Sequence, residues 1–175
     1  SRGTEIAMCC TAPIDSTPAL HANASLADEG LMRLSFRPQG GPCWVEVVAD
    51  GKVFLGTNNG NPRNPNIQED KGVLMCFRES DGKFLWQAVT DKLASGSQND
   101  FPEQGVCSSP AVDGKRLYYV SNRGELVCLD TEAFLDGKND GPFQGEAYKG
   151  PSDADIVWKL DMMKELGVYQ RNMAN

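Results

Sequence analysis

The chain writes one pattern twice, and a repeated pattern restricts its fold more than any other property it has. The first copy opens Ala49-Asp50-Gly51-Lys52, runs through Val53-Phe54-Leu55 to Thr57-Asn58-Asn59-Gly60, and resumes at Val73-Leu74-Met75-Cys76-Phe77. It then turns at Ser80-Asp81-Gly82-Lys83 and ends at Phe84-Leu85-Trp86. The second copy opens Val112-Asp113-Gly114-Lys115, continues Leu117-Tyr118-Tyr119-Val120, turns at Asn122-Arg123-Gly124, resumes Leu126-Val127-Cys128-Leu129 and ends Ile156-Val157-Trp158. The Asp-Gly-Lys turns at Asp50 and Asp113 lie 63 positions apart, Cys76 and Cys128 lie 52 apart, and Trp86 and Trp158 lie 72 apart. Apolar runs that keep their length while the gaps between them vary are structural elements joined by loops of unequal length.

Each copy reads as four strands. Apolar runs of four to eight residues bounded by Asp-Gly and Asn-x-Gly turns predict strands at 45–49, 52–57, 73–77 and 83–87 in the first copy. The second copy gives strands at 106–112, 116–121, 125–129 and 155–160. A short helix follows over 161–167, with Asp161 as its cap and Gly167 as its stop. Residues 1–44 do not match the repeat, and Pro13, Pro18, Pro38 and Pro42 interrupt any long element there. Within them Met32, Leu34 and Phe36 alternate with Arg33, Ser35 and Arg37, which predicts one half-buried strand over 31–37. The expected organisation is an arm over 1–44, a first unit with its connection over 45–104, and a second unit with the short helix over 105–175.

Composition removes several classes of function. A hydrophobic fraction of 40% over 175 residues is enough for a real core. No apolar run reaches the roughly 20 residues a membrane helix needs, and no signal peptide is visible. With a net charge of −7 and no cluster of Lys or Arg, a nucleic-acid partner is not expected. The six cysteines form no Cys-x-x-Cys pair, and His21 is the single histidine, so no zinc site can be read from spacing. Cys76 and Cys128 sit at matching places in apolar strands and read as small buried hydrophobes.

Strand, Asp-Gly-Lys turn, strand, Asn-x-Gly turn and a closing Gly-Lys-x-x-Trp segment together resemble the blade of the pyrroloquinoline-quinone-type (PQQ-like) β-propellers. The run from Gly51 to Gly60 and that from Gly105 to Leu129 are especially similar to the large propeller-repeat proteins of planctomycete-type bacteria. The resemblance covers residues 45 to 160. Gly82, Lys83, Trp86 and Asp130 fit the blade pattern, whereas Cys76 and Cys128 stand where Ala is usual, Arg78 where Asp is usual and Asp81 where Thr is usual. An insertion over 132–153 separates Asp130 from Trp158. The resemblance implies an all-β fold of four-stranded antiparallel blades, with Trp86 and Trp158 docking on neighbouring blades. It also implies an exported or periplasmic setting. Closed propellers have 4–8 blades, so two blades leave two faces to be covered. Either copies of the chain associate to complete a ring, or the chain is a fragment of a longer propeller.

The chemistry to be expected follows from the same residues. The resemblance invites a PQQ cofactor and calcium-assisted alcohol oxidation, and Cys9-Cys10 resemble the vicinal pair that caps that cofactor. Here they lie in the unmatched arm with no recognisable cofactor-binding residues around them, and they read as incidental cysteines in a chain without the cofactor. Asp136, Asn139 and Asp140 form the best metal-like loop, since alternating oxygen donors before a Gly turn suit Ca²⁺, although Lys138 stands where an oxygen ligand belongs. Cys107, opening the innermost strand of the second copy, is a candidate thiol nucleophile with His21 as the only imidazole base. The glycines from Gly51 to Gly60 are turn residues, because no Gly-Lys-Ser/Thr ending follows them. The reading that emerges is a binding or assembly scaffold that forms a ring as a homo-oligomer. The alternative is an enzyme at the channel mouth, acting by quinone-dependent oxidation or as a small-molecule hydrolase.

Overall fold

The computed structural model describes residues 23–27, 31–35, 46–96 and 100–169, with side chains from residue 47 onward. Strands β1 (Asn23–Ala27) and β2 (Leu31–Ser35) pair as an antiparallel hairpin. The rest forms two four-stranded antiparallel sheets. The first is β3 (Glu46–Ala49), β4 (Lys52–Asn58), β5 (Lys71–Arg78) and β6 (Phe84–Asp91); the second is β7 (Ala111–Asp113), β8 (Arg116–Val120), β9 (Glu125–Asp130) and β10 (Ile156–Asp161). Both run in simple sequence order across the sheet. An α-helix, α1 (Met162–Leu166), follows. The Asp161 carboxylate accepts from the Lys164 N–H at its start, and Gly167 closes it with a left-handed φ of 67°.

The first hairpin turns on Asp50 and Gly51, both left-handed at φ 49° and 74°. That geometry matches the twist of the strands it joins. In the second sheet Asp113 pairs with Arg116, so Gly114 and Lys115 occupy the turn instead. The two Asp-Gly-Lys motifs are therefore offset by one residue relative to the sheets.

Two strands differ from expectation. Of the strand predicted over 31–37 the described part, 31–35, is strand, residues 36 and 37 lying outside the described residues, and its partner β1 was not foreseen. The strand predicted over 106–112 begins only at Ala111. Its earlier half is drawn elsewhere: the Val106 N–H donates to the Thr57 carbonyl of β4 at 3.1 Å. The Ser108 hydroxyl donates to the Val120 carbonyl and accepts from the Val120 N–H, taking the place of a ladder, and Pro110 has no N–H to offer one.

Register fixes which faces meet. In the first sheet Phe54 pairs with Cys76 and Cys76 with Trp86, so these three share one face with Leu74 and Ala88. In the second, Val112 pairs with Leu117, and Leu117 and Ile156 with Leu129. Tyr119 and Val127 lie on the same side. These two faces pack together as the principal core, joined by Val106, Ala133 and Ala154.

The other face of the first sheet carries Val53, Leu55, Val73, Met75 and Phe77, all between 0% and 7% exposed. The Arg63 guanidinium lies over it, 5.2 Å from the Phe77 ring and 4.6 Å from Phe84. This face of the first sheet, one of the two expected to stand open, is thus buried within the chain.

Candidate functional site

Two features of the seam between the sheets carry chemical meaning. The first is the seat of Trp86. Its side chain is wholly buried, it tilts against Phe54 at 5.9 Å between ring centroids, and its indole N–H donates to the Thr131 carbonyl at 3.1 Å. Thr131 immediately follows β9, so one strand of the first sheet is hydrogen-bonded through a side chain to the end of the second. Lys52 and Glu132 form a second tie at 2.7 Å. A buried indole needs a partner for its N–H, and this one has it across the seam.

The far face of the second sheet repeats that seat position by position. Tyr118 pairs with Cys128 and Cys128 with Trp158, as Phe54 pairs with Cys76 and Cys76 with Trp86. Leu126 corresponds to Leu74. Tyr118 and Trp158 approach at 6.1 Å with an interplanar angle of 47°, close to the 48° of Phe54 and Trp86. Yet Tyr118, Leu126 and Trp158 are only half-buried. The aromatic pair is built, but it lacks the cover its counterpart has.

The second feature is a cleft of about 420 Å³ where the seam opens between β6 and the second sheet. That volume lies in the range of small-molecule sites. Ala88, Tyr119, Val127 and Ile156 form its apolar wall, and Phe143 and Tyr148 reach it from the loop between β9 and β10. Its cations are engaged: Lys159 meets Glu125 at 3.0 Å, and Arg123 donates to the Lys92 carbonyl at 2.9 Å. Glu146 Oε1 is buried beside the cleft without a hydrogen-bond partner, as is Gln87 Oε1 on the Met75 face of the first sheet. An unmet buried oxygen costs about 1–3 kcal/mol. Tyr119, wholly buried, has its hydroxyl pushed up to about 12 by burial, against the hydrogen bond to Thr90 that lowers it.

The residues singled out from sequence are placed as follows. Asp136 Oδ1 accepts the Lys138 N–H at 2.9 Å, and this bond holds its carboxyl below the usual range. Asn139 donates to Glu146 at 3.3 Å and accepts from Gln144 at 3.0 Å. The Asp140 N–H donates to Asp155 at 2.7 Å, and its own carboxylate stands 3.8 Å from Arg116. The three neighbours thus turn to three different sets of protein partners. Among the described residues no three His, Cys, Asp or Glu side chains are grouped to hold a metal. Cys107 is half-buried in the segment before β7, its thiol 3.6 Å from the Gly105 carbonyl. His21, Cys9 and Cys10 lie outside the described residues. Cys76 and Cys128 are buried thiols at 0% and 1% exposure, and burial pushes the Cys76 thiol up to about 12.

Asp155, Glu146 and Gln87 carry no sequence signal that would have marked them. Asp155 is 1% exposed, and Oδ1 of its carboxylate has no hydrogen-bond partner. Burial pushes its carboxyl up, the Asp140 N–H opposes this, and the charges of Glu146, Asp140 and Asp130 add to the rise. Compared with protein-family models, curated proteins and solved structures, the chain shows no significant match to any of them.

Proposed function

We propose that the two sheets are successive blades of a PQQ-like β-propeller and that the chain acts as a binding and assembly scaffold, its ring completed by further copies of itself. One observation carries the reading: the Tyr118–Cys128–Trp158 face repeats, in register, the Phe54–Cys76–Trp86 face that grips the second sheet. A face of that composition is built to be covered. The cover it fits is another four-stranded sheet that brings an apolar face and a carbonyl within reach of the Trp158 indole, as Leu117, Leu129 and the Thr131 carbonyl do for Trp86.

In a ring of copies that cover is the first sheet of the next chain, presented through Val53, Leu55, Val73, Met75 and Phe77. These residues are already buried in the single chain. Ring closure therefore exchanges one set of contacts for another instead of covering bare surface, and it is expected to be slow and concentration-dependent. Closed point-group symmetry is the usual outcome for such head-to-tail contacts when the rotation closes.

Static light scattering over a range of protein concentrations tests the reading. A mass that is a multiple of the 19.0 kDa chain is expected. Trp158→Glu is expected to reduce it to one chain while leaving far-ultraviolet circular dichroism unchanged. A stable single-chain mass at every concentration refutes the ring.

A further inference from the structure

We propose that the cleft between the two sheets binds a small organic carboxylate, its two oxygens held side-on by Arg123 and its apolar body laid along β6 against Tyr119, Val127 and Phe143. This goes beyond the scaffold reading and does not depend on how many copies assemble.

The sign of the ligand follows from pairing off the charges around the cleft. Asp91 lies opposite Lys71 in the first sheet, on the Met75 face, and the two meet at 2.8 Å. Glu125 and Lys159 share the Val127 face of the second sheet and meet at 3.0 Å. Glu146 is taken by Lys149 at 3.2 Å. Asp153 is folded onto its own loop, its Oδ2 accepting the Gly150 N–H at 2.8 Å. Arg123 is the exception. Its Nη1 donates to the Lys92 carbonyl at 2.9 Å and stands 3.5 Å from the Asp91 carbonyl, and among the described residues no carboxylate pairs with it. Its Nε and Nη2 carry no hydrogen bond to those residues either. The guanidinium is therefore pinned at one nitrogen on neutral main-chain oxygens while its side edge stays open. That edge offers two parallel N–H groups at a fixed spacing, which the two oxygens of a carboxylate match.

The remaining geometry sets the body of the ligand. Arg123 reaches the cleft at the Asp91 end of β6, whereas the main chain of Ser152 and Ala154 stands at Gln87, four residues and roughly 13 Å away along the strand. Between those ends Ala88 and Thr90 share the face of β6 that looks toward the second sheet, and Tyr119 and Val127 lie across from them. Phe143 lines the same space from the loop before β10. The anion-binding group thus sits at one end of a trough whose walls are mostly apolar. A volume of about 420 Å³ admits a ring with a short arm but not a folded peptide.

Amide chemical shifts of the full chain, titrated with phenylacetate, phenethyl alcohol and phenethylammonium, test this directly. The three probes share a ring and a short arm and differ in charge. Phenylacetate is expected to give a saturable response centred on Thr90, Tyr119 and Arg123, the alcohol a response at least about tenfold weaker, and the ammonium none. Arg123→Gln is expected to weaken phenylacetate at least about tenfold and to leave the alcohol unchanged, a split that a merely structural role for Arg123 would not produce. If that variant does not fold, Phe143→Ala, in the loop before β10, is expected to weaken phenylacetate and the alcohol alike. Equal responses to the three probes, no saturation by about 10 mM, shifts centred outside the cleft, or unchanged phenylacetate affinity in a folded variant overturns the proposal. So does an Arg123→Gln variant that weakens phenylacetate and the alcohol equally.

Discussion

Replacing Trp86 by Ala removes the largest side chain that is completely buried at the seam, and the structure sets the size of the loss. The indole is at 0% exposure, in contact with Phe54, and its N–H bonds the Thr131 carbonyl. Truncation loses its burial, leaves a cavity between two sheets held apart by their own backbones, and orphans a buried carbonyl. Together these cost about 3–5 kcal/mol. Against a total stability of about 5–15 kcal/mol for a domain, that is a large fraction. Urea unfolding is the assay. With a slope of about 2 kcal/mol/M, the midpoint is expected to fall by about 1.5–2.5 M with the slope unchanged. Trp86→Phe retains the apolar contact but loses the donor and is expected to cost less than half as much. Trp158→Ala, at the matching but half-buried position, is expected to cost about 1–2 kcal/mol in a single chain. Where copies assemble, its cost rises with protein concentration while that of Trp86→Ala does not. A Trp86→Ala cost below about 1 kcal/mol, or equal to that of Trp158→Ala in a single chain, refutes the reasoning.

Two further outcomes are expected. A Cβ at Gly56 would overlap the Val106 carbonyl oxygen, backbone against backbone, so Gly56→Ala is expected to cost about 1–3 kcal/mol and to shift amide resonances on both sheets. Gly51→Ala has open space around it and only a left-handed φ of 74° to contend with, and its spectral changes are expected to stay within the first hairpin. Stability should also fall in alkali: Tyr119 ionises near its ordinary value of 10 when unfolded but only near 12 when folded. Its contribution is therefore intact below pH 10 and is lost as pH climbs to 12, by about 3 kcal/mol. Denaturant titrations of Tyr119→Phe between these limits should show a flatter pH profile, and an unchanged profile excludes Tyr119 as the cause.

Most of the two sheets was legible because their signals are local. Asp50-Gly51 and Asn122-Arg123-Gly124 dictate turns through backbone preference, and Val73 to Phe77 is apolar enough to be a central strand whatever surrounds it. Position 106 misled for a non-local reason: Val106 carries a strand-forming side chain, but its N–H is claimed by Thr57 of the other sheet. Strand β1, with the sequence Asn-Ala-Ser-Leu-Ala, lacks β-branched or aromatic residues and gave no periodic signal. The cleft was illegible for a further reason. Gln87, Tyr119 and Glu146 come from three separate segments, and each looks ordinary until the sheets bring them together. The Asp136–Asp140 stretch drew notice through its composition; in it Asp136 Oδ1 and Asn139 Oδ1 accept turn and loop bonds. The carboxylates with unmet oxygens are its neighbours Glu146 and Asp155.

The glycines of the seam have a mechanical consequence. At Gly56 and Gly105 the main chain of one unit touches the main chain of the other, with no side chain between them. Along β6 the same two units are tied a second time, the Gln87 N–H donating to the Ser152 carbonyl at 3.0 Å and the Ala154 N–H to the Gln87 carbonyl at 2.9 Å. The sheets are therefore fastened along two separate lines, and a body fastened along two lines cannot pivot about either. The angle between the sheets is set by main-chain contacts and not by the side chains that fill the space between them.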